Sequence, residues 1–257
     1  MGNKVSSHGA GTVRIMSQNV MCWGDKEARR PLMRRVLTGH GAHFLCLQEV
    51  TPTWRGYFEE DLAGYDSVFM YRGAESLEAV PIYWRRDFAE LLDSGHFWLS
   101  ETPEVESYGW GAGCLRIATY GHFRIRETGR ELAVVNTHLD WESRSARLGG
   151  IRLIRRFTEE HFDSELPLVL TGDFNAPRGE ATVTVAESFL CDTRLTAGRS
   201  TYALTCSDSD YGDEPNVTID YIFARSGMHC GSFEVISEMG DAGPQSDHLA
   251  VMSELIL

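Results

Sequence analysis

Leu168-Val169-Leu170-Thr171-Gly172-Asp173-Phe174-Asn175-Ala176-Pro177 is the stretch on which the reading of this chain turns. Three consecutive aliphatic residues, Leu168 to Leu170, read as a short strand buried on both faces, and Gly172 and Pro177 bracket the segment that follows as a turn. The strand delivers Asp173 and Asn175 to its carboxyl end. Open α/β sheets bind ligands beyond that end, so a carboxylate and a carboxamide two residues apart there can converge on one ligand or one water. Alone the pair is weak evidence, because Asp and Asn often just close their own backbone in an Asx-turn.

The same construction recurs along the chain. Phe44 to Leu47 is apolar and ends in Gln48-Glu49; Leu132 to Val135 ends in Asn136-Thr137-His138; Val13 to Met16 ends in Ser17-Gln18-Asn19. Ile219-Asp220-Tyr221-Ile222-Phe223 carries an acid inside a strand, and Ser246-Asp247-His248 precedes the last apolar run, Leu249 to Met252. Strand ends thus present Asn19, Glu49, His138, Asp173, Asn175, Asp220, Asp247 and His248, a set that structural chance does not readily supply.

These residues run from Asn19 to His248, so a single site needs nearly the whole chain, and we read residues 12–257 as one domain behind a flexible lead-in, residues 1–11. Of the 257 residues, 42% are hydrophobic, ample for a sizeable core. The balance of 24 basic against 37 acidic residues, net −13, disfavours a nucleic-acid partner, which draws much of its affinity from neutralised phosphates. Arg144, Arg147, Arg152, Arg155 and Arg156 read as the solvated side of a helix. Six cysteines without Cys-x-x-Cys spacing fit buried reduced thiols, and hence a cytoplasmic setting. There is no run long enough to cross a bilayer; Met1-Gly2-Asn3-Lys4-Val5-Ser6 matches the myristoylation template, a short pattern with many chance matches. The number of subunits leaves no mark on the sequence.

In order, Asp25 caps a helix running through Pro31 to about Leu37, with Leu32, Met33, Val36 and Leu37 on its apolar face. Glu49, a carboxylate at the end of a buried strand, suits a hard divalent metal. Ser67 to Tyr71, Ala79 to Trp84 and Gly95 to Leu99 read as short strands in antiparallel hairpins at a sheet margin. Glu101 to Gly113 is a long loop whose Tyr108 and Trp110, with Trp23 and Trp141 elsewhere, are candidate pocket walls. Leu115 to Tyr120 returns as a strand, and its Arg116 suits a substrate phosphate or a structural ion pair. A helix is expected from about Ser143 to His161, with Leu148, Ile151, Ile154 and Phe157 inward. A short helix ending near Leu190 and an acidic, flexible loop, Ser207 to Glu214, follow.

Together these motifs resemble the endonuclease/exonuclease/phosphatase superfamily, with the deoxyribonuclease I-like fold. The resemblance runs from Gln18-Asn19 through Gln48-Glu49, Asn136-Thr137-His138-Leu139-Asp140, Gly172-Asp173-Phe174-Asn175 and Ile219-Asp220-Tyr221 to Ser246-Asp247-His248. It implies a four-layer α/β sandwich, two mixed sheets packed face to face with helices outside. It further implies that Glu49 holds magnesium, or alternatively manganese, with Asn19 and Asp247 as ligands or supporting partners. Asp173 would orient or deprotonate the attacking water and Asn175 would hold a phosphate oxygen. His248, oriented by Asp220, would stabilise the phosphoryl oxygens or move a proton, and His138 would bind phosphate or assist the leaving group. Some nuclease branches carry an acid where this chain has Met21, and Phe97-Trp98-Leu99-Ser100-Glu101-Thr102-Pro103 looks like the compact bacterial members.

Three functions compete. The first is a metal-dependent phosphoesterase acting on a small phosphorylated metabolite, a sugar phosphate or nucleotide, with Asn175, Arg116, Trp110 and Trp141 against the substrate. The second is a nuclease using the same groups on DNA or RNA. The third, a catalytically silent binding scaffold, sits poorly with intact acid, amide and histidine positions.

Overall fold

Alternation within the apolar runs sorts them into layers. In β2 (Phe44–Gln48) the side chains of Phe44 and Cys46 join one buried cluster and those of Leu45 and Leu47 another. Val134 of β7 (Glu131–His138) and Val169 of β8 (Leu168–Asp173) turn to the first cluster, while Ala133, Val135, Leu168 and Leu170 turn to a third. Successive strand residues face opposite ways, so strands buried on both faces must lie between two apolar layers. The computed structural model describes residues 11–201, 204–206, 217–241 and 243–257.

Two mixed sheets result among those residues. The first, of seven strands, also contains β1 (Thr12–Asn19), β3 (Tyr65–Val68), β4 (Ile82–Arg85), β10 (Arg199–Ser200), β12 (His229–Ile236) and β13 (Ala250–Ile256), in the order β10-β12-β13-β1-β2-β4-β3. The second, of six, adds β5 (Ala89–Trp98), β6 (Ile117–Ile125), β9 (Cys191–Asp192) and β11 (Asp220–Ala224), in the order β5-β6-β7-β8-β11-β9. They pack face to face through Ile15, Phe44, Phe123, Val134, Val169, Ile222 and their neighbours. Helices α1 (Lys26–Gly39) and α2 (Pro52–Asp61) cover the outer face of the first sheet, and α3 (Arg144–His161) and α4 (Ala181–Glu187) that of the second; a single turn, α5 (Thr193–Thr196), joins β9 to the segment leading to β10. The fold is a four-layer α/β sandwich.

Both crossover helices start as the sequence implies. Asp25 accepts a hydrogen bond from Ala28 N–H at the start of α1, and Ser143 accepts one from Ala146 N–H at the start of α3, each satisfying an otherwise orphaned donor. β1 runs parallel to β2 and β7 parallel to β8. Each parallel pair therefore releases its two chain ends at the same rim, the condition for a site there.

Several expectations need correction. The proposed hairpin series breaks: β3 and β4 pair antiparallel at the margin of the first sheet, but β5 crosses to the second and pairs with β6. β4 begins at Ile82 because Pro81 has no N–H to give a ladder. Arg147 is not on the solvated side of α3; it is buried, with two hydrogen bonds to the Glu180 carboxylate at 2.9 and 3.0 Å. The sequence reading is silent on α2, whose buried face is only Trp54 and Phe58. The acidic loop Ser207 to Glu214 and the myristoylation-like start lie outside the described residues. No helix among the described residues is long and apolar enough to cross a membrane.

Candidate active site

Thr171-Gly172-Asp173 sets the geometry. Gly172 has φ +145°, and a Cβ there would lie 2.0 Å from the Thr137 carbonyl oxygen, so only glycine lets β8 approach β7 this closely. His138 and Asp173 fall opposite each other in that parallel register, and Asp220 falls opposite Asp173 across the antiparallel β8–β11 pair. On the other sheet Asn19 and Gln48 end β1 and β2 in register, which leaves Glu49 just past the strand. The two rims are joined through the core: Gln48 Nε2 donates to Asn136 Oδ1 at 2.7 Å, and Asn136 Nδ2 donates to the Leu47 carbonyl at 2.8 Å.

Between the rims lies a cavity of about 680 Å³ lined by Trp23, Glu49, Arg116, His138, Trp141, Glu142, Asp173, Asn175, Asp247 and His248. Asn19 stands behind it as a bridge. Its Nδ2 donates to Glu49 Oε1 and to Asp173 Oδ2, each at 3.0 Å, and its Oδ1 accepts from Met21 N–H. Glu49 Oε2 accepts from Cys22 N–H at 2.7 Å. Burial works against the Glu49 carboxylate, but these donors outweigh it and hold the group below the usual glutamate range. Glu49, Met21 and Asn175 all have φ between +46° and +61°, a costly conformation for residues with a Cβ, and among the described residues only Trp110 away from the rim shares it.

Three buried titratable groups meet around Asp173 Oδ2. His138 Nε2 lies 3.4 Å from it and His248 Nε2 3.7 Å. Burial pushes the Asp173 carboxyl up to about 7 despite the opposing charge of His248. Burial would also discharge His248, but Asp220 Oδ2, 2.9 Å from its Nδ1, and then Asp173 keep the imidazole well above its ordinary value. His138 goes the other way: burial, followed by the charges of Arg116 and Arg72, holds it well below. The site therefore keeps one neutral and one charged imidazole on either side of one carboxyl near neutrality. Asn175 Nδ2 is engaged by the Leu139 carbonyl and by His138 Nε2, each at 3.0 Å.

Arg116 projects into the cavity from the residue before β6. It is 6% exposed, its Nε is 3.9 Å from Asp140 Oδ2, and neither Nε nor Nη1 has a hydrogen-bond partner among the described residues. A buried guanidinium with donors left unmet is costly unless an anion takes them. Asp247 also faces the cavity. Burial raises its carboxyl; the charge on His248 draws it back and that of Glu49 raises it further. Glu49 and Asp247, two hard-oxygen carboxylates lining one cavity, are a donor set a divalent cation fits.

Trp110 is not in this cavity. Its indole is seated on Gly149 of α3, where a Cβ would come within 2.2 Å of the ring, and it lines a separate groove with Arg152 and Arg156. Tyr108 is exposed and does not line the cavity either.

A family model for the Endonuclease/Exonuclease/phosphatase family matches residues 19–248. The chain belongs to that family. Members of the endonuclease/exonuclease/phosphatase family hydrolyse phosphoester bonds and generally use divalent metals. A family protein from Bacteroides vulgatus is 29% identical, with a TM-score of 0.89 over 96% of this chain and 99% of that one. A mannosyl-6-phosphatase from Bacteroides thetaiotaomicron is 27% identical, with a TM-score of 0.88 over 95% of this chain and all of that one. An uncharacterized mimivirus protein is 27% identical over 160 residues, a match that covers 58% of this chain and 59% of the viral protein.

Sequence reasoning passed over Glu142, which follows Trp141 at the cavity mouth, and the cluster of Cys22, Glu49 and Glu78, whose ligand atoms lie within 4.8 Å of one another. Glu142 carries no local signature beyond its place after a strand end already rich in polar residues. Glu78 comes from the irregular segment between β3 and β4, where no periodicity assigns a face.

Proposed function

We propose that the chain is a divalent-metal-dependent phosphoesterase that hydrolyses a small phosphorylated metabolite, a sugar phosphate or nucleotide, by in-line attack of an activated water. The observation that carries this reading is the Asn19 bridge between Glu49 and Asp173, with Arg116 and both histidines around the same cavity. The near-full-length likeness to a mannosyl-6-phosphatase supports a small phosphomonoester.

Glu49, with Asn19 and Asp247 beside it, would hold magnesium or manganese, which when bound would neutralise charge on the phosphoryl oxygens. The remaining work falls to the chain. Arg116, whose side chain lines the cavity, offers its guanidinium to the phosphate. Asp173, with a carboxyl near 7, orients the attacking water and takes its proton, and Asn19 fixes the direction in which it does so. His248, held through Nδ1 by Asp220, keeps its Nε2–H for a phosphoryl oxygen or for proton transfer. His138, neutral, and Asn175, beside it at 3.0 Å, contact the phosphate and the leaving group.

Hydrolysis should be measured with magnesium, manganese and a chelator, as phosphate release for mannose 6-phosphate and nucleoside monophosphates and as cleavage products for a phosphodiester and an oligonucleotide. Hydrolysis of a monoester, stopped by the chelator and lowered about 10²- to 10³-fold in Glu49→Ala, is expected. Full activity in Glu49→Ala, or in excess chelator, refutes the reading.

A further inference from the structure

Trp23 and Trp141 line the cavity while 63% and 56% exposed. They come from opposite sheets, Trp23 from the segment after β1 and Trp141 from that after β7. Such exposure of a large apolar side chain has a cost in water, and its recurrence on both lips of one cavity calls for an occupant.

The backbone beneath each indole is fixed by the same device. Buried Arg29 of α1 donates to the carbonyl oxygens of Trp23 at 2.7 Å, Met21 at 3.1 Å, Val20 at 3.0 Å and Gln245 at 2.8 Å. Buried Arg147 of α3 donates to the carbonyl oxygens of Trp141 at 3.1 Å and Asp140 at 3.0 Å. Each arginine stands six residues after its tryptophan, and each tryptophan two residues before its helix cap, Asp25 or Ser143. A ring that is exposed on a pinned backbone has little freedom left to lose on binding.

Charge around the cavity limits what the rings can meet. Its lining holds one guanidinium, Arg116, and two imidazoles, His138 and His248, enough for one phosphate; its other ionisable groups are the carboxyls Glu49, Glu142, Asp173 and Asp247. A second phosphate, or the neighbouring phosphates of a nucleic-acid strand, would face Glu142 and a chain of net charge −13. Glu142 is exposed beside Trp141, and its carboxylate meets no hydrogen-bond donor among the described residues. The lining suits a substrate whose remainder is uncharged, presents an apolar face to indole and donates hydrogen bonds to a carboxylate. A pyranose does all three, with its C–H face and its hydroxyls.

We propose that Trp23, Trp141 and Glu142 form a sugar-binding subsite and that the substrate is a pyranose monophosphate. This rests on the phosphoesterase reading above and narrows it. Trp23→Ala, Trp141→Ala and Trp141→Phe should be compared with the unsubstituted protein on mannose 6-phosphate, glucose 6-phosphate, adenosine monophosphate and glycerol 3-phosphate. Tryptophan fluorescence should be titrated in parallel with mannose 6-phosphate in metal-free protein. The expected result is a KM for the hexose phosphates raised about tenfold in each alanine variant, largely recovered in Trp141→Phe, with a smaller rise for glycerol 3-phosphate, which has no ring. The fluorescence change should be lost in the double alanine variant. An unchanged KM for hexose phosphates in both alanine variants, or a higher kcat/KM for adenosine monophosphate, overturns the sugar subsite while metal-dependent turnover still stands. If the folded protein hydrolyses no ester of the panel, the phosphoesterase reading itself fails and the subsite with it.

Discussion

His248 is buried, and its imidazole is held well above the ordinary value by Asp220, 2.9 Å from its Nδ1, and then by Asp173. The consequence for stability has a definite sign. A histidine raised in the folded state contributes fully below its ordinary value of about 6.5, and the contribution fades as pH rises through the folded value. Asp173, raised to about 7, loses its contribution earlier, between the ordinary aspartate range and that value. In metal-free protein, an NMR titration of the His248 ring should therefore give a midpoint above the ordinary one, and Asp220→Asn should bring it down. An unaltered midpoint in Asp220→Asn would mean that the carboxylate does not hold the charge. At this scale much of the site was legible, because acids and amides at the ends of apolar strands have few structural reasons to be there. Trp110 was not: the loop carrying it lands on α3 because Gly149 leaves room for an indole, a tertiary fact invisible in the loop's own sequence.

Two helical glycines show how far an element's own preferences reach. Gly56 lies on the exposed side of α2, where an added methyl would have nothing within 4 Å, whereas a Cβ on Gly149 meets the Trp110 ring at 2.2 Å. Alanine is the better helix former by about 0.5–1 kcal/mol at either position. Gly56→Ala should thus stabilise by about that amount. In Gly149→Ala the gain is outweighed by an overpacking cost of about 1–3 kcal/mol, so the net change should be destabilising. Urea unfolding of both variants checks the pair, and equal signs would contradict the packing described. The strong elements, α1, α3, β2, β7 and β8, could be read because burial, caps and periodicity agree within each. The two-residue strands β9 and β10 could not, since so short a strand exists only through its neighbours. Nor could the passage of β5 to the second sheet, which no residue between Arg85 and Ala89 announces.

At the scale of the whole molecule, a net charge of −13 and a cavity with a single guanidinium predict how salt acts on catalysis. A small monoester has no condensed counterion atmosphere to release, so its KM should rise by less than about threefold between about 50 and 200 mM salt, whereas a nucleic-acid substrate spanning several phosphates loses orders of magnitude. Initial rates across that range distinguish the two, and a steep loss would point to a polyanionic substrate. The paired arginines beneath Trp23 and Trp141 have a wider consequence. Because each grips main-chain oxygens rather than the indole itself, positions 23 and 141 can exchange their side chains while the backbone of the cavity stays put. Selectivity in such a protein can drift one lip at a time, without retooling the chemistry.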